Sequence, residues 1–161
     1  MALTVLQWNC WGFQPHKHEL ERFLRETPVP PDVVCVEEIF LKASKNPRVD
    51  GYSVYRQDSP QESVGGLAIL LKIGINHTLL CLEEIEGLER QGIELCTDNG
   101  NLTIINVYIS PNHVVNKEQI NRLFPTRRSI IVGDFNAHSA SWKDGKTNAR
   151  GRVIEDIVQE I

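Results

Sequence analysis

The 161-residue sequence has no C-x-x-C pair, no low-complexity tract, no internal repeat and no apolar run long enough to cross a bilayer. Each absence excludes something. Cys10, Cys35, Cys81 and Cys96 are widely spaced, which argues against a disulfide framework or a cysteine-ligated zinc site and for free thiols in a reducing, intracellular setting. Cys35 and Cys81 stand inside the apolar runs "VVCVE" and "LLCLE" and read as small core residues. The opening "MALTVLQWNC" lacks the basic region and the long apolar stretch of a signal peptide. The longest apolar run, "GLAILLKIGI", is interrupted by Lys72 and Gly74, so no membrane role is expected. A basic excess is missing too. The net charge of −4 argues against non-specific coating of nucleic acid, but not against an enzyme that neutralises phosphate locally with a metal ion.

What is present fits one globular domain with a real core. "LTVLQWN" (3–9) reads as a strand, "HKHELERFLRE" (16–26) as a helix with Leu20, Phe23 and Leu24 on one face, and "VVCVEE" (33–38) as a strand covered on both sides. That opening is a βαβ-like unit. A strand-rich middle follows: "YSVYRQ" (52–57), "GLAILLK" (66–72), "HTLLCLEEI" and "GIELCT". The turn cluster "DNGN" (98–101) joins the last of these to "LTIINVYIS" as a hairpin. A helix starts at Asn116, which has Gln119 three residues on; Ile120, Leu123 and Phe124 line its buried side and Pro125 follows. "SIIVGDFNAHS" (129–139) begins like a buried strand, turns at Gly133, and delivers Asp134 and Asn136 at its tip. The final segment places Val153, Ile154, Ile157, Val158 and Ile161 on one helical face. It stops without a C-cap, which suggests truncation.

Four strands end in polar groups: Asn9, Glu38, the Asn106 and Tyr108 pair, and Asp134 with Asn136. Ligands of open α/β sheets bind at the carboxyl ends of strands, so these groups are candidates to converge. Glu and Asp are hard oxygen ligands suited to Mg²⁺ rather than zinc. With Glu38 on a metal, Asp134 on a water and Asn136 on the phosphorus oxygens, the set suits phosphate-ester hydrolysis. Each residue also has a plainer reading. Asp134 and Asn136 would suit a turn, Tyr108 a half-buried strand, and His138 a polar loop. Trp8, Trp11 and Trp142 read as packing residues, with Trp142 also able to touch DNA. Lys143, Lys146, Arg150 and Arg152 are either a solvated loop or contacts to a phosphate backbone. Asn148 and Arg150-Gly151 are assigned to structure first.

The stretches "QWN" (7–9), "VEE" (36–38), "GGLAILL" (65–71), "NVYISP" (106–111) and "GDFNAH" (133–138), in that order, resemble the endonuclease/exonuclease/phosphatase family with its DNase-like fold. "QWNCWG", "VYISP", and "GDFNAHSASW" followed by "NARGRVIEDIV" resemble its subgroup of non-long-terminal-repeat retrotransposon endonucleases. The resemblance implies an α/β fold: a two-sheet β-sandwich flanked by helices, in four layers α/β/β/α. It implies that Asn9 supports a metal site, Glu38 is the main Mg²⁺ ligand (Mn²⁺ being the alternative ion), Tyr108 contacts the scissile phosphate, Asp134 orients the nucleophilic water and Asn136 stabilises the transition state. It implies DNA as substrate, a fused or separate reverse transcriptase as partner, and a nuclear location for a working enzyme.

Two departures stand out. The family's residue before the metal Glu is usually Gln, and here it is Glu37. Adjacent strand residues face opposite ways, so one of the two acids faces the site, and Glu38 is the expected one. The family's Ser-Asp-His segment is absent, so residues 1–161 are expected to be an endonuclease domain lacking its C-terminal part, an incomplete sandwich that nicks DNA poorly. The rival readings are a non-catalytic remnant that binds metal, nucleic acid or a partner without turnover, and, with less support, a phosphatase of small phosphoesters.

Overall fold

A computed structural model describes residues 3–59, 64–124, 126–142 and 145–160. Val5–Asn9 (β1), Phe13–Glu26 (α1) and Val33–Glu37 (β2) form the opening unit, with β1 and β2 parallel. Tyr52–Gln57 (β3) and Leu67–Lys72 (β4) complete a first sheet in the order β1-β2-β4-β3. His77–Leu80 (β5), Leu88–Thr97 (β6), Gly100–Ile109 (β7) and Ser129–Asp134 (β8) form a second, in that order, with β7 and β8 parallel. Lys117–Asn121 (α2) and Ala149–Val158 (α3) lie on its outer side.

Residue alternation builds the layers. Strand side chains point alternately to the two faces, so a strand buried on both must be apolar throughout. On β2, Val34 and Val36 pack with Phe13, Leu20 and Leu24 of α1, while Val33 and Cys35 pack inward against Ile93, Leu95 and Ile104 of the second sheet. On β7, Ile105, Val107 and Ile109 face outward onto Ile120 and Leu123 near α2 and Ile157 of α3. The result is the four-layer α/β/β/α sandwich. Asn106 shares the inward face with Ile104 and lies buried between the sheets, where its amide donates to Val36 O at 3.0 Å and Ala68 O at 3.2 Å. It ties one sheet to the other rather than serving a strand end.

Several expectations need correction. Helix α1 begins three residues early, at Phe13, because the chain after β1 is held against β2: Cys10, Gly12 and Phe13 N–H groups donate to the carbonyls of Glu37, Glu38 and Ile39. β8 pairs with β7, and its Ile130 is partly exposed, so the strand is not buried throughout. Gly133 makes no turn; it continues β8, and a Cβ there would lie 1.9 Å from Val107 O. The capping box of Asn116 and Gln119 is present, but α2 lasts little over a turn and Phe124 is exposed. Val158 of α3 is exposed, not part of its buried face. Pro125, Lys143 and Ile161 lie outside the described residues.

All four thiols are free, but Cys81 is exposed like Cys96, while Cys10 and Cys35 are buried. Burial pushes the Cys10 thiol up to about 12 and that of Cys35 higher than its ordinary value. Since the thiolate is the reactive form, a chromogenic thiol reagent at neutral pH is expected to label Cys81 and Cys96 at once and the other two only on unfolding. Four equally fast thiols would contradict this packing.

Candidate active site

The inward-facing positions of three strands open at one end of the sandwich. Val5, Gln7 and Asn9 share one face of β1; Ile104, Asn106 and Tyr108 share one face of β7; Val132 and Asp134 share one face of β8. The last residue of each set meets the others. Asn9 Nδ2 donates to Glu38 Oε1 at 2.9 Å and to Asp134 Oδ2 at 2.7 Å, so one amide NH₂ group spans two carboxylates from different sheets. Those two oxygens are thereby within about 6 Å of each other. The Asn9 oxygen accepts from Trp11 N–H at 3.2 Å, so the whole amide is held in place between the two acids.

Glu38 leaves the strand. Its φ of 54° lies in the left-handed region, where a side chain is strained, and it shares that conformation with Trp11, Phe40 and Asn136. Such residues persist only where the surroundings hold them. Here Ile39 and Phe40 N–H groups donate to Gly66 and Gly65 carbonyls, and Gly12 N–H donates to the Glu38 carbonyl. Glu37, by contrast, points between the sheets. It is fully buried, with one oxygen accepting from Gln7 Nε2 at 2.6 Å and the other unpartnered. The geometry therefore puts Glu38, not Glu37, beside Asn9 and Asp134.

Asp134 is aimed from two sides. Its Oδ1 accepts from Asn136 N–H at 2.8 Å, and Oδ2 takes the Asn9 bond. The Asn136 side chain donates one N–H to Ile109 O at 3.0 Å, leaving a second N–H. Burial raises the Tyr108 phenol far above its usual range; the Glu38 charge and a hydrogen bond to Glu38 add to that, followed by the charges of Asp134 and Glu89. It stays a neutral donor at any working pH. Tyr108 and Glu89 line a groove of about 830 Å³ with Ser110, Asn112 and His113, and Asp134 and Asn136 line another of about 450 Å³ with His138 and Trp142.

Two residues went unread. Glu89 stands opposite Tyr108 in the β6–β7 ladder and accepts from Gly66 N–H at 2.6 Å and Ser59 Oγ at 2.9 Å, which secures the Gly65–Gly66 backbone against the Glu38 segment. A signal existed: Glu89 shares the inward parity of Ile93 and Leu95 on β6. Trp11 is not a packing residue; its side chain is 75% exposed beside Asn9.

The basic stretch does not act as a set. Lys146 and Arg152 are exposed, but Arg150 is only 7% exposed and its guanidinium is turned onto backbone carbonyls, so it is no backbone-phosphate contact. The start of α3 instead holds the Asp134–His138 loop. Asn148 caps the helix by accepting from Gly151 N–H at 2.7 Å, accepts from His138 N–H at 3.2 Å, and donates to Asn136 O at 3.1 Å. A Cβ on Gly151 would lie 1.9 Å from His138 O.

Two measurements check this arrangement. Ala normally exceeds Gly in a helix by about 1 kcal/mol; Gly151→Ala is expected to reverse that sign and destabilise by about 1–3 kcal/mol in urea melts, as overpacking does. A neutral or stabilising result would disprove the close approach. The second concerns Glu37, whose carboxyl is pushed up to about 8, by burial first, against the Gln7 bond and with the Asp134 and Glu38 charges adding. The folded chain thus keeps a proton that the unfolded chain releases near the ordinary value, and stability falls as pH rises from there to about 8. In chelator, the gain in Tm of Glu37→Gln over the parent is expected to be larger at pH 8.5 than at pH 5; a gain independent of pH would contradict it.

Comparisons with known proteins give the family and the fold. Residues 6–156 match the Endonuclease/Exonuclease/phosphatase family. The chain is 25% identical over 161 residues to the probable RNA-directed DNA polymerase from transposon BS of Drosophila melanogaster, covering 97% of this chain and 18% of that protein. It is 27% identical over 160 residues to the RNA-directed DNA polymerase from mobile element jockey of Drosophila funebris, covering 98% and 17%. The chain thus spans under a fifth of those relatives. Among solved structures, the endonuclease domain of TRAS1, a telomere-specific non-LTR retrotransposon, superposes with a TM-score of 0.74 at 20% identity, over 98% of this chain and 71% of that one. An AP endonuclease from Archaeoglobus fulgidus superposes at 0.67 and 19% identity, over 98% and 70%.

Proposed function

The chain belongs to the Endonuclease/Exonuclease/phosphatase family, and from that premise we propose that its site hydrolyses a DNA phosphodiester, nicking a strand to supply a primer end for a reverse transcriptase. The observation that carries the reading is the Asn9 amide shared by Glu38 and Asp134. Two carboxylates beside a phosphodiester repel it, and a divalent cation offsets that repulsion. The donor chemistry fits Mg²⁺ or Mn²⁺: Glu38 would supply a hard carboxylate oxygen, and Asn9 would support the site beside it. When bound, such an ion polarises a phosphoryl oxygen and stabilises the leaving alkoxide.

The chain's own groups do the rest. Asp134, fixed by Asn9 and Asn136, orients the attacking water and accepts its proton. Tyr108, a neutral phenol, exchanges its hydrogen bond to Glu38 for one to a non-bridging oxygen. The second N–H of Asn136 donates where charge builds on the phosphorus oxygens. Lys146 and Arg152, both exposed, contact the backbone without reading sequence; Lys143 adjoins them in sequence. The relatives named as RNA-directed DNA polymerases supply the context of the nick and, with it, the expectation of action in the nucleus. The 161 residues contain no Ser-Asp-His run, so the rate is expected to be slow.

Supercoiled plasmid incubated with the chain and Mg²⁺ is expected to convert slowly to open circles, not at all with chelator, and at least about 100-fold more slowly with Asp134→Ala or Glu38→Ala. Nicking that survives both substitutions would remove the site from the reaction. No nicking with either ion would favour a chain that binds without turnover, and fast nicking would overturn the expected impairment.

A further inference from the structure

A guanidinium carries five N–H donors in one plane. That of Arg150 is spent on backbone. Nη1 donates to Phe135 O at 2.7 Å, to Asn136 O at 3.3 Å and, more weakly, to Ile109 O at 3.5 Å. Nη2 donates to Ser110 O at 2.9 Å and to His113 O. Among the described residues, Nε has no partner and no carboxylate forms an ion pair with the guanidinium. Burial disfavours the cation, while the charge of Asp134 supports it from a distance; an arginine keeps its charge all the same. Burying a charge without a contacting partner is costly. A chain that needed only to fill this space would do better with an apolar side chain.

The carbonyls explain the choice. Ile109, Ser110 and His113 follow Tyr108 at the end of β7; Phe135 and Asn136 follow Asp134 at the end of β8. Tyr108 and Asp134 are register partners on parallel strands, and the segments beyond them have no further ladder to keep them together. One side chain, projecting from the first turn of α3, grips both. Asn136 Nδ2 to Ile109 O and Asn148 Nδ2 to Asn136 O close the same junction.

We propose that Arg150 is a positioning residue, which sets the separation of Tyr108 from Asp134 and Asn136 and holds a fixed positive charge behind the place where a phosphate would sit. What the two segments face rests on the nuclease reading; the clamp itself does not. Lysine is no substitute, because an ammonium cannot reach two segments as a planar fork does.

Amide hydrogen exchange separates the two questions. In Arg150→Gln and Arg150→Lys, segments 109–113 and 135–138 are expected to exchange together about tenfold or more faster, with β2 unchanged and the lysine variant closer to the glutamine variant than to the parent. Unchanged exchange, loosening of one segment alone, or a uniform rise that includes β2 in both variants would overturn the clamp. In plasmid nicking, a clamp lowers kcat at constant KM and constant salt dependence; a raised KM with a shallower salt dependence would instead make Arg150 a DNA contact. If the parent chain does not nick, the nuclease reading fails while the exchange result still decides the clamp.

Discussion

One amide group, the Asn9 side chain, lies between a carboxylate of the first sheet and a carboxylate of the second. Its two N–H donors match the two acceptors, so neither acid is held by its own sheet alone. That contact requires the sheets to sit at a fixed spacing and a fixed offset. The packing between them supplies the spacing, through Val33, Cys35, Ile69 and Leu71 against Ile93, Leu95 and Ile104. Asn106 supplies the offset, because an amide bonded to carbonyls of β2 and β4 resists sliding in a way that apolar contacts do not.

Much of this was legible in the order of residues, because a strand turns alternate side chains to one face. The same parity that buries Ile104 and Val132 puts Tyr108 and Asp134 at the open end, and the βαβ opening puts Asn9 beside them. Parity alone favoured Glu37, which continues the inward set of Val33 and Cys35; Glu38 was expected from the family resemblance, and it reaches the site because it leaves the strand. Parity also ran further than it was followed: it placed Asn106 and Glu89 on the inward face. What it could not give was how fully each side chain is covered: Ile130-Ile131-Val132 has the composition of a buried strand, yet Ile130 is partly exposed.

Loop residues were the least legible. Arg150 sits among basic residues, and charge at that spacing reads as a solvated surface. Its burial follows from carbonyls contributed by residues as far back as Ile109, which no local pattern reveals. Trp11 erred the other way. Tryptophan is usually buried for most of its area, but the backbone that swings Glu38 into place also holds the loop after β1 in a conformation that turns the indole outward.

Trp11, Glu38, Phe40 and Asn136 all hold the left-handed conformation without being glycine. A glycine would have allowed each of these bends and also many others. With larger residues there, pinned by neighbouring amides and carbonyls, the loops have few alternative shapes to give up when a ligand arrives. Association at this end of the sandwich then carries little configurational-entropy penalty, and the mouth of the site behaves as a rigid receptor that a substrate enters without first having to shape it.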